Sequence, residues 1–95
     1  MLIEWDEAKN RVNKAKHKVS FELARLVFDD PLHMSHRERV VDGEERWQTI
    51  GQVGGVVLIL VAHTWQDVGN EEVIRIISAR KADARERKRY EEGAA

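Results

Sequence analysis

The chain has 95 residues, of which 42% are hydrophobic and 35% charged, and its formal net charge at pH 7 is −1. This length predicts a single domain over residues 1–95 with one buried core, and the absence of cysteine excludes a disulfide framework or a thiolate metal site. The N-terminus has no signal-peptide pattern and the longest apolar run, residues 56–62, is too short to span a bilayer, so we expect a cytoplasmic protein.

Helical patterns dominate the first third of the chain, after a short apolar strand predicted at residues 1–5. Apolar residues recur at helical spacing after Asp6, an N-cap candidate, as far as a break at His17-Lys18. Ser20 is a second N-cap candidate. It opens another amphipathic helix, which ends before Pro31 because proline disfavours the helical conformation in the preceding residue.

From residue 33 the pattern is typical of β-strands joined by tight turns. Asp42-Gly43 and Gly54-Gly55 are hairpin signals, and the strand after the second turn is apolar on both faces, which predicts a central position. Asp83 and Glu86 occupy the two positions of a capping box, so a last helix is predicted over residues 84–92. The predicted strands span residues 33–41, 46–53, 56–62 and 72–80, with a loop over residues 65–70.

The resulting order, β-α-α-β-β-β-β-α, predicts a small α+β domain in which an antiparallel sheet packs with helices. Basic residues form two blocks, one on the first helix and one around the last. Solvated helix faces explain either block more simply than a binding site does, although two blocks in one small domain favour an anionic partner. The first block comprises Lys9, Arg11, Lys14, Lys16, His17 and Lys18; the second comprises Arg80, Lys81, Arg85, Arg87, Lys88 and Arg89.

Two arginines interrupt the β-branched last strand, Arg75 and Arg80. A guanidinium in such a strand requires a partner, because burying it is costly unless it is paired or bound to an anion. In a regularly pleated strand these two side chains lie on opposite faces. Arg80, at the strand end beside the basic helix, is the candidate for binding a ligand, whereas an ion pair with a helix acid explains Arg75 equally well.

Few other residues suggest chemistry. Tyr90 is most simply an apolar anchor, but beside Arg80 or Arg87 its pKa would fall, which would suit proton transfer. The chain has four histidines, and histidine is the residue type whose ordinary pKa lies nearest neutrality. His33 and His36 face opposite sides of their predicted strand and no acid or cysteine completes a set, so no metal or other cofactor is expected. Trp65, in the predicted loop, is the tryptophan expected to be exposed, where it would stack on a base or anchor a protein partner.

Motifs throughout nearly the whole chain resemble, in order and spacing, the BrnT family of toxins from bacterial type II toxin–antitoxin systems. The segment from Arg75 to Arg80 is the most specific of them. The residues that carry the resemblance are Glu4-Trp5-Asp6, Lys9-Asn10, Lys16-His17, Val19-Ser20-Phe21-Glu22, Phe28, Asp30-Pro31, Gly43-Glu44-Glu45-Arg46-Trp47, Ile50-Gly51, Arg75-Ile76-Ile77-Ser78-Ala79-Arg80, Ala82, Glu86-Arg87 and Tyr90.

The resemblance implies a RelE-like fold and a metal-independent endoribonuclease that inhibits translation. It also implies neutralisation by a BrnA-like antitoxin, in a complex of two toxins and two antitoxins that contacts DNA only through the antitoxin. The expected reaction is attack of an RNA 2′-hydroxyl on the adjacent phosphate, which requires a base, cations for the phosphorane and an acid at the leaving oxygen.

On this resemblance, Arg80 and then Arg75 are assigned to phosphate and transition-state charge, because arginine stays protonated and cannot act as the base. The proton-transfer candidates are Tyr90, His17 and His63. The expected RNA-binding residues are Lys16, Trp65, Gln66 and Arg87.

Two positions depart from the family pattern. Gln66 stands where the family usually has an arginine, and losing a cation at the phosphorane costs about 2–4 kcal/mol by analogy with oxyanion donors. The alternative function is therefore a catalytically weakened toxin that acts mainly by binding its antitoxin; a generic nucleic-acid-binding module is the third hypothesis. Lys18 stands where the family has a helix-ending glycine, which costs about 1 kcal/mol if its backbone is left-handed.

Overall fold

A computed structural model describes residues 1–93, which form a five-stranded sheet with helices on both faces. The α+β class and the predicted order of elements are confirmed, while the RelE-like label stays a prediction. Residues 94 and 95 of the predicted domain lie outside the described residues. The elements are β1 (Leu2–Trp5), α1 (Glu7–His17), α2 (Phe21–Ala24), a 3-10 helix (Arg25–Asp29), β2 (Met34–Val41), β3 (Glu44–Val53), β4 (Val57–Val68), β5 (Glu71–Lys81) and α3 (Ala84–Gly93).

The strands lie in the order β1-β5-β4-β3-β2, and the last four form the antiparallel meander predicted from the sequence. β4 is central, as its apolar faces indicated. β1 adds a parallel partner to β5, with Leu2 opposite Val73 and Trp5 opposite Ile76, so the sheet is mixed. None of the helices in residues 1–93 has the length and apolar character needed to cross a membrane.

The predicted loop over residues 65–70 is wrong. β4 continues to Val68 and β5 begins at Glu71, so only a tight turn separates them. Gly69 takes the left-handed conformation in that turn, with φ of 65°, which glycine adopts without steric cost. Residues 65–68 pair directly with residues 71–74, and this backbone pairing overrides their polar sequence.

A β-bulge in β5 changes which side chains share a face. His63 pairs with Ile76 and Ala62 with Ser78, so Ile77 is the extra residue. The extra residue shifts the alternation by one, and the side chains of Arg75 and Arg80 therefore lie on the same face of the sheet. The prediction that they lie on opposite faces is wrong because it assumed a regular pleat.

The core has two parts, one on each face of the sheet. The larger part packs α1, α2 and the 3-10 helix against the sheet, with Phe21 fully buried at its centre. The smaller part lies under α3, where Tyr90 packs with Ile50, Leu58 and Leu60. We call this second surface the α3 face. It carries both arginines of β5, Arg75 and Arg80.

Candidate active site

Arg80 lies at the end of β5 on the α3 face, and Glu86 of α3 holds its guanidinium. Two parallel hydrogen bonds of 2.8 and 2.9 Å join them, from Nη1 to Oε1 and from Nη2 to Oε2. Arg80 keeps 40% of its side chain exposed, whereas Glu86 keeps 12%. The cation is therefore held in one orientation by a buried carboxylate while part of it stays accessible to a ligand.

The predicted capping box fixes Glu86. The Glu86 amide donates to the Asp83 carboxylate at 2.8 Å, and the Asp83 amide donates to Glu86 Oε1 at 2.9 Å. Hydrogen bonds from Arg80 lower the pKa of Glu86 and, in return, raise the pKa of Arg80, with burial opposing both shifts. Glu86 is thus an ionised positioning group and a poor proton acceptor at neutral pH.

His36 shares a small hollow with Glu86, the acidic partner of Arg80, which sequence reasoning missed. The hollow has a volume of about 170 Å³ and is bordered by Glu86, Arg89 and the apolar floor of Ile50 and Leu60. His36 lies on β2, two residues after Met34, which pairs with Ile50. The His36 side chain is exposed. The sequence indicates this position only through strand alternation: His36 is two residues from Met34, so both side chains point to the α3 face.

Arg75 lies farther along the same face, in a cross-strand row with Thr64 and Arg46. Arg75 Nη2 donates to both oxygens of Glu44 at 2.9 and 3.1 Å, and Arg46 Nη2 approaches Glu44 Oε1 at 3.4 Å. Gln66 Nε2 lies 3.5 Å from Glu44 Oε2. The acid paired with Arg75 is thus on the neighbouring hairpin rather than on a helix, as the sequence had suggested.

Tyr90 is buried, and its hydroxyl donates a 2.6 Å hydrogen bond to Asp30 Oδ2. This bond, with burial and the charge of Asp30, raises the pKa of Tyr90 to about 12. The prediction that its pKa falls is therefore wrong, because the nearest charge is negative rather than positive. A phenol with this pKa does not accept a proton at neutral pH.

His63 lies on the opposite face of β4, fully buried. Its Nε2 and Nδ1 lie 2.7 and 2.9 Å from Thr49 Oγ1 and the Thr64 carbonyl, so both nitrogens are occupied. Burial lowers the pKa of His63, with the Thr64 contact opposing that shift, and keeps the ring neutral. No surface of His63 is open to RNA, which argues against its predicted role in proton transfer.

The predicted RNA-binding residues do not form one group. Trp65 is half-buried on β4, not exposed in a loop; its ring packs edge-on against Trp47 at 5.1 Å and Nε1 donates to Glu72 at 3.2 Å. Lys16 and His17 border a separate hollow of about 350 Å³ between α1 and β5. Arg87 is exposed on α3. Of the predicted residues, Arg75, Arg80 and Gln66 lie on the strands of the α3 face; Arg75 and Gln66 both approach Glu44, whereas Arg80 lies farther along the face.

The α3 face thus combines fixed cations with one exposed histidine. Its arginines are Arg39, Arg46, Arg75 and Arg80, and Arg89 reaches it from α3. Such a surface suits a polyanion, since guanidinium groups match phosphate geometry. Within residues 1–93 no three His, Asp or Glu side chains cluster closely enough to hold a metal ion.

Comparison with known proteins gives a family match and matches among solved structures. Residues 5–86 match the family model described as the ribonuclease toxin BrnT of type II toxin–antitoxin systems. Among solved structures, the chain is similar to the Brucella abortus ribonuclease toxin BrnT, with 34% sequence identity and a TM-score of 0.60. That alignment covers 87% of this chain and 97% of the other. A search of the curated proteins returned no match.

Proposed function

The chain belongs to the BrnT family of ribonuclease toxins of type II toxin–antitoxin systems, and on that premise we propose that it cleaves RNA on its α3 face and thereby inhibits translation. The observation that carries the proposal is the match over residues 5–86, together with the Arg80–Glu86 pair on an accessible surface. The 2′-hydroxyl attacks the adjacent phosphorus, and the bond from phosphorus to the 5′-oxygen breaks. The products are a 2′,3′-cyclic phosphate and a 5′-hydroxyl end.

Arg80 stabilises the negative charge that develops on the phosphorane. Glu86 positions it, since two hydrogen bonds to a buried carboxylate restrict its rotamers before RNA binds. Charge stabilisation of this kind is worth most when the donor is preorganised. Arginine also supplies the charge without a metal ion, which is why the proposed reaction is metal-independent.

His36 is the proposed proton acceptor for the 2′-hydroxyl. Tyr90 and His63 are unsuited to this role by their pKa and burial, and His17, the last residue of α1, borders the separate hollow between α1 and β5. His36 is exposed on the α3 face, in the hollow that Glu86 and Arg89 border, and a ring nitrogen of neutral imidazole accepts a proton. Water protonates the departing 5′-oxygen, and His36 later returns its proton to solvent.

The proposed partner is a BrnA-like antitoxin, in an assembly of two toxins and two antitoxins, and the proposed location is the cytoplasm, where translation takes place. Family membership supports an antitoxin partner, because type II antitoxins are proteins that bind their toxin. The alternative function, a weakened toxin that acts mainly through this complex, rests on Gln66 in place of the family's usual arginine.

Growth after induction tests the proposal. We expect the chain alone to arrest growth, and a co-expressed BrnA-like antitoxin to restore it. Arg80→Ala should also restore it, with a loss of about 10²–10³-fold in RNA cleavage by the purified protein. Arg85→Ala, which removes the same charge from the exposed side of α3, is the control and should change little.

Three other outcomes would change the proposal. Arrest that persists in Arg80→Ala would remove Arg80 from the site. The absence of both arrest and cleavage, with a stable antitoxin complex, would favour the alternative function. His36→Gln should lower the cleavage rate; an unchanged rate would exclude His36 as the base.

A further inference from the structure

We infer that Arg46 and Arg75 form a second phosphate-binding subsite for RNA, and that the Glu44 carboxylate occupies this subsite when RNA is absent. The inference rests on the proposed RNA substrate and extends it to a part of the α3 face away from Arg80. Leu60 and Thr64, the β4 partners of Arg80 and Arg75, are four residues apart, which is about 13 Å along a strand. A single phosphate group does not span that distance, so the subsite takes a different phosphate of the same strand.

The geometry around Glu44 is that of a bound anion. Arg75 Nη2 contacts both carboxylate oxygens, Arg46 contacts one of them, and the Gln66 amide approaches the other. A phosphate presents the same planar pair of acceptor oxygens to arginine. The side chains of Arg46 and Glu44 are 26% and 25% exposed and that of Arg75 is 48% exposed, so the arrangement is open to an incoming ligand.

Arg46 also has unused hydrogen-bonding capacity. Its Nε is buried and has no hydrogen-bond partner within residues 1–93. Its contact with Glu44, at 3.4 Å, is the longest of the ion pairs in this cluster. Two guanidinium groups converge on one carboxylate, and Arg39, the cross-strand partner of Arg46, adds a third cation to the row, so a net positive charge remains for RNA. Displacing Glu44 costs little, since a partly exposed ion pair contributes little net stability.

Glu44→Gln tests this inference, because it removes the competing charge and keeps the side-chain size. We expect the variant to bind a short, 2′-O-methylated single-stranded RNA about fivefold more tightly, the gain that follows from abolishing a surface ion pair. The methylated probe cannot be cleaved, since the attacking hydroxyl is blocked. Fluorescence anisotropy across a salt series gives both the affinity and the number of phosphate contacts.

Glu45→Gln is the matched control. Glu45 is the next residue along β3, so it points to the other face, and it pairs with Arg37 at 2.7 Å. Both substitutions change the net charge of the chain by the same amount. An effect limited to Glu44→Gln supports a subsite, whereas equal effects in both variants would mean that only overall charge matters and would overturn the inference.

Arg75→Gln provides the second readout. It should weaken RNA binding and reduce the salt slope by about one phosphate contact. An unchanged slope in Arg75→Gln would mean that Arg75 contacts no phosphate. Weaker binding in Glu44→Gln would make Glu44 a structural support for the arginines. Either result would overturn the inference. Wild-type protein that cleaves RNA without these effects leaves the proposed function intact, whereas folded protein that neither cleaves nor binds RNA refutes both.

Discussion

Tyr90 links α3 to the loop before β2 through a single hydrogen bond to Asp30. Burial alone would raise the pKa of Asp30, but hydrogen bonds from Tyr90 and from the backbone amides of Gln52 and Leu32, with the nearby His33, together lower it. Asp30 is 60 residues away from Tyr90 in sequence. The sequence predicted that Tyr90 is an apolar anchor, but its partner could not be predicted from local pattern, and the expected direction of its pKa was therefore wrong.

Tyr90→Phe should lower the free energy of unfolding by about 1–2 kcal/mol without abolishing RNA cleavage, because it removes a hydrogen bond to a charged group. The pKa of Asp30 is lowered in the folded state, so this stabilisation is present above its ordinary value of 3.8 and lost as the pH falls through the folded value. The raised pKa of Tyr90 acts in the opposite sense, and its contribution disappears as the pH rises through about 12.

Urea denaturation of Tyr90→Phe and wild type at neutral and acidic pH measures this difference, which should shrink in acid. If the variant folds with wild-type stability but does not cleave RNA, Tyr90 belongs to the catalytic site after all.

At the scale of elements, two buried asparagines dock α1 onto the rest of the domain. Asn13 donates to the Ala79 carbonyl at 2.8 Å and accepts from the Ala79 amide at 3.1 Å, pairing with the edge of β5 beyond the end of β1. Asn10 accepts from the Phe21 amide at the start of α2. The helical period and caps of α1 were predictable from local sequence. These contacts were not, because they join residues distant in the chain, and the β5 bulge escaped prediction for the same reason.

The end of α1 contains a strained residue. Lys18 has a φ of 62°, the left-handed conformation expected if it replaces a helix-ending glycine. Lys18→Gly should raise the free energy of unfolding by about 1 kcal/mol, since glycine adopts this conformation without a Cβ clash. Cleavage per folded molecule should not change. Chemical denaturation checks the gain.

Asp42→Gly is the comparison for this prediction. Asp42 is also left-handed, with a φ of 51°, but aspartate tolerates that conformation better than lysine does. Its replacement should therefore give a smaller gain. A Lys18→Gly variant no more stable than wild type would show that the helix end relaxes the strain at little cost.

At the scale of the whole molecule, the net charge of −1 conceals a strongly polar arrangement. Five arginines lie on or over the α3 face, and Arg46, Arg75 and Arg80 each have an acidic partner close by. Composition could not reveal this, because it counts charges without placing them. Strand alternation placed Arg80 on a candidate surface, but the bulge was needed to bring Arg75 to the same one. The sequence therefore predicted the family and the principal arginine better than it predicted the extent of the binding face.

Gln66 is the position at which this face lacks the cation that the family usually has. Its amide lies 3.5 Å from Glu44, beside Arg75, so an arginine at this position would add a cation to the same cluster. Gln66→Arg should tighten RNA binding at the Arg46–Arg75 cluster by about fivefold and raise the cleavage rate at low RNA concentration by the same factor; position 66 is six residues along β4 from Leu60, the partner of Arg80, and does not reach the phosphorane. Gln66→Met, of similar size and without charge, should give no gain. Measured cleavage rates of the purified variants decide between two states of the wild-type protein. A gain in Gln66→Arg alone means that the wild type is a weakened nuclease, whereas equal rates mean that Arg80 and its partners already supply the necessary charge.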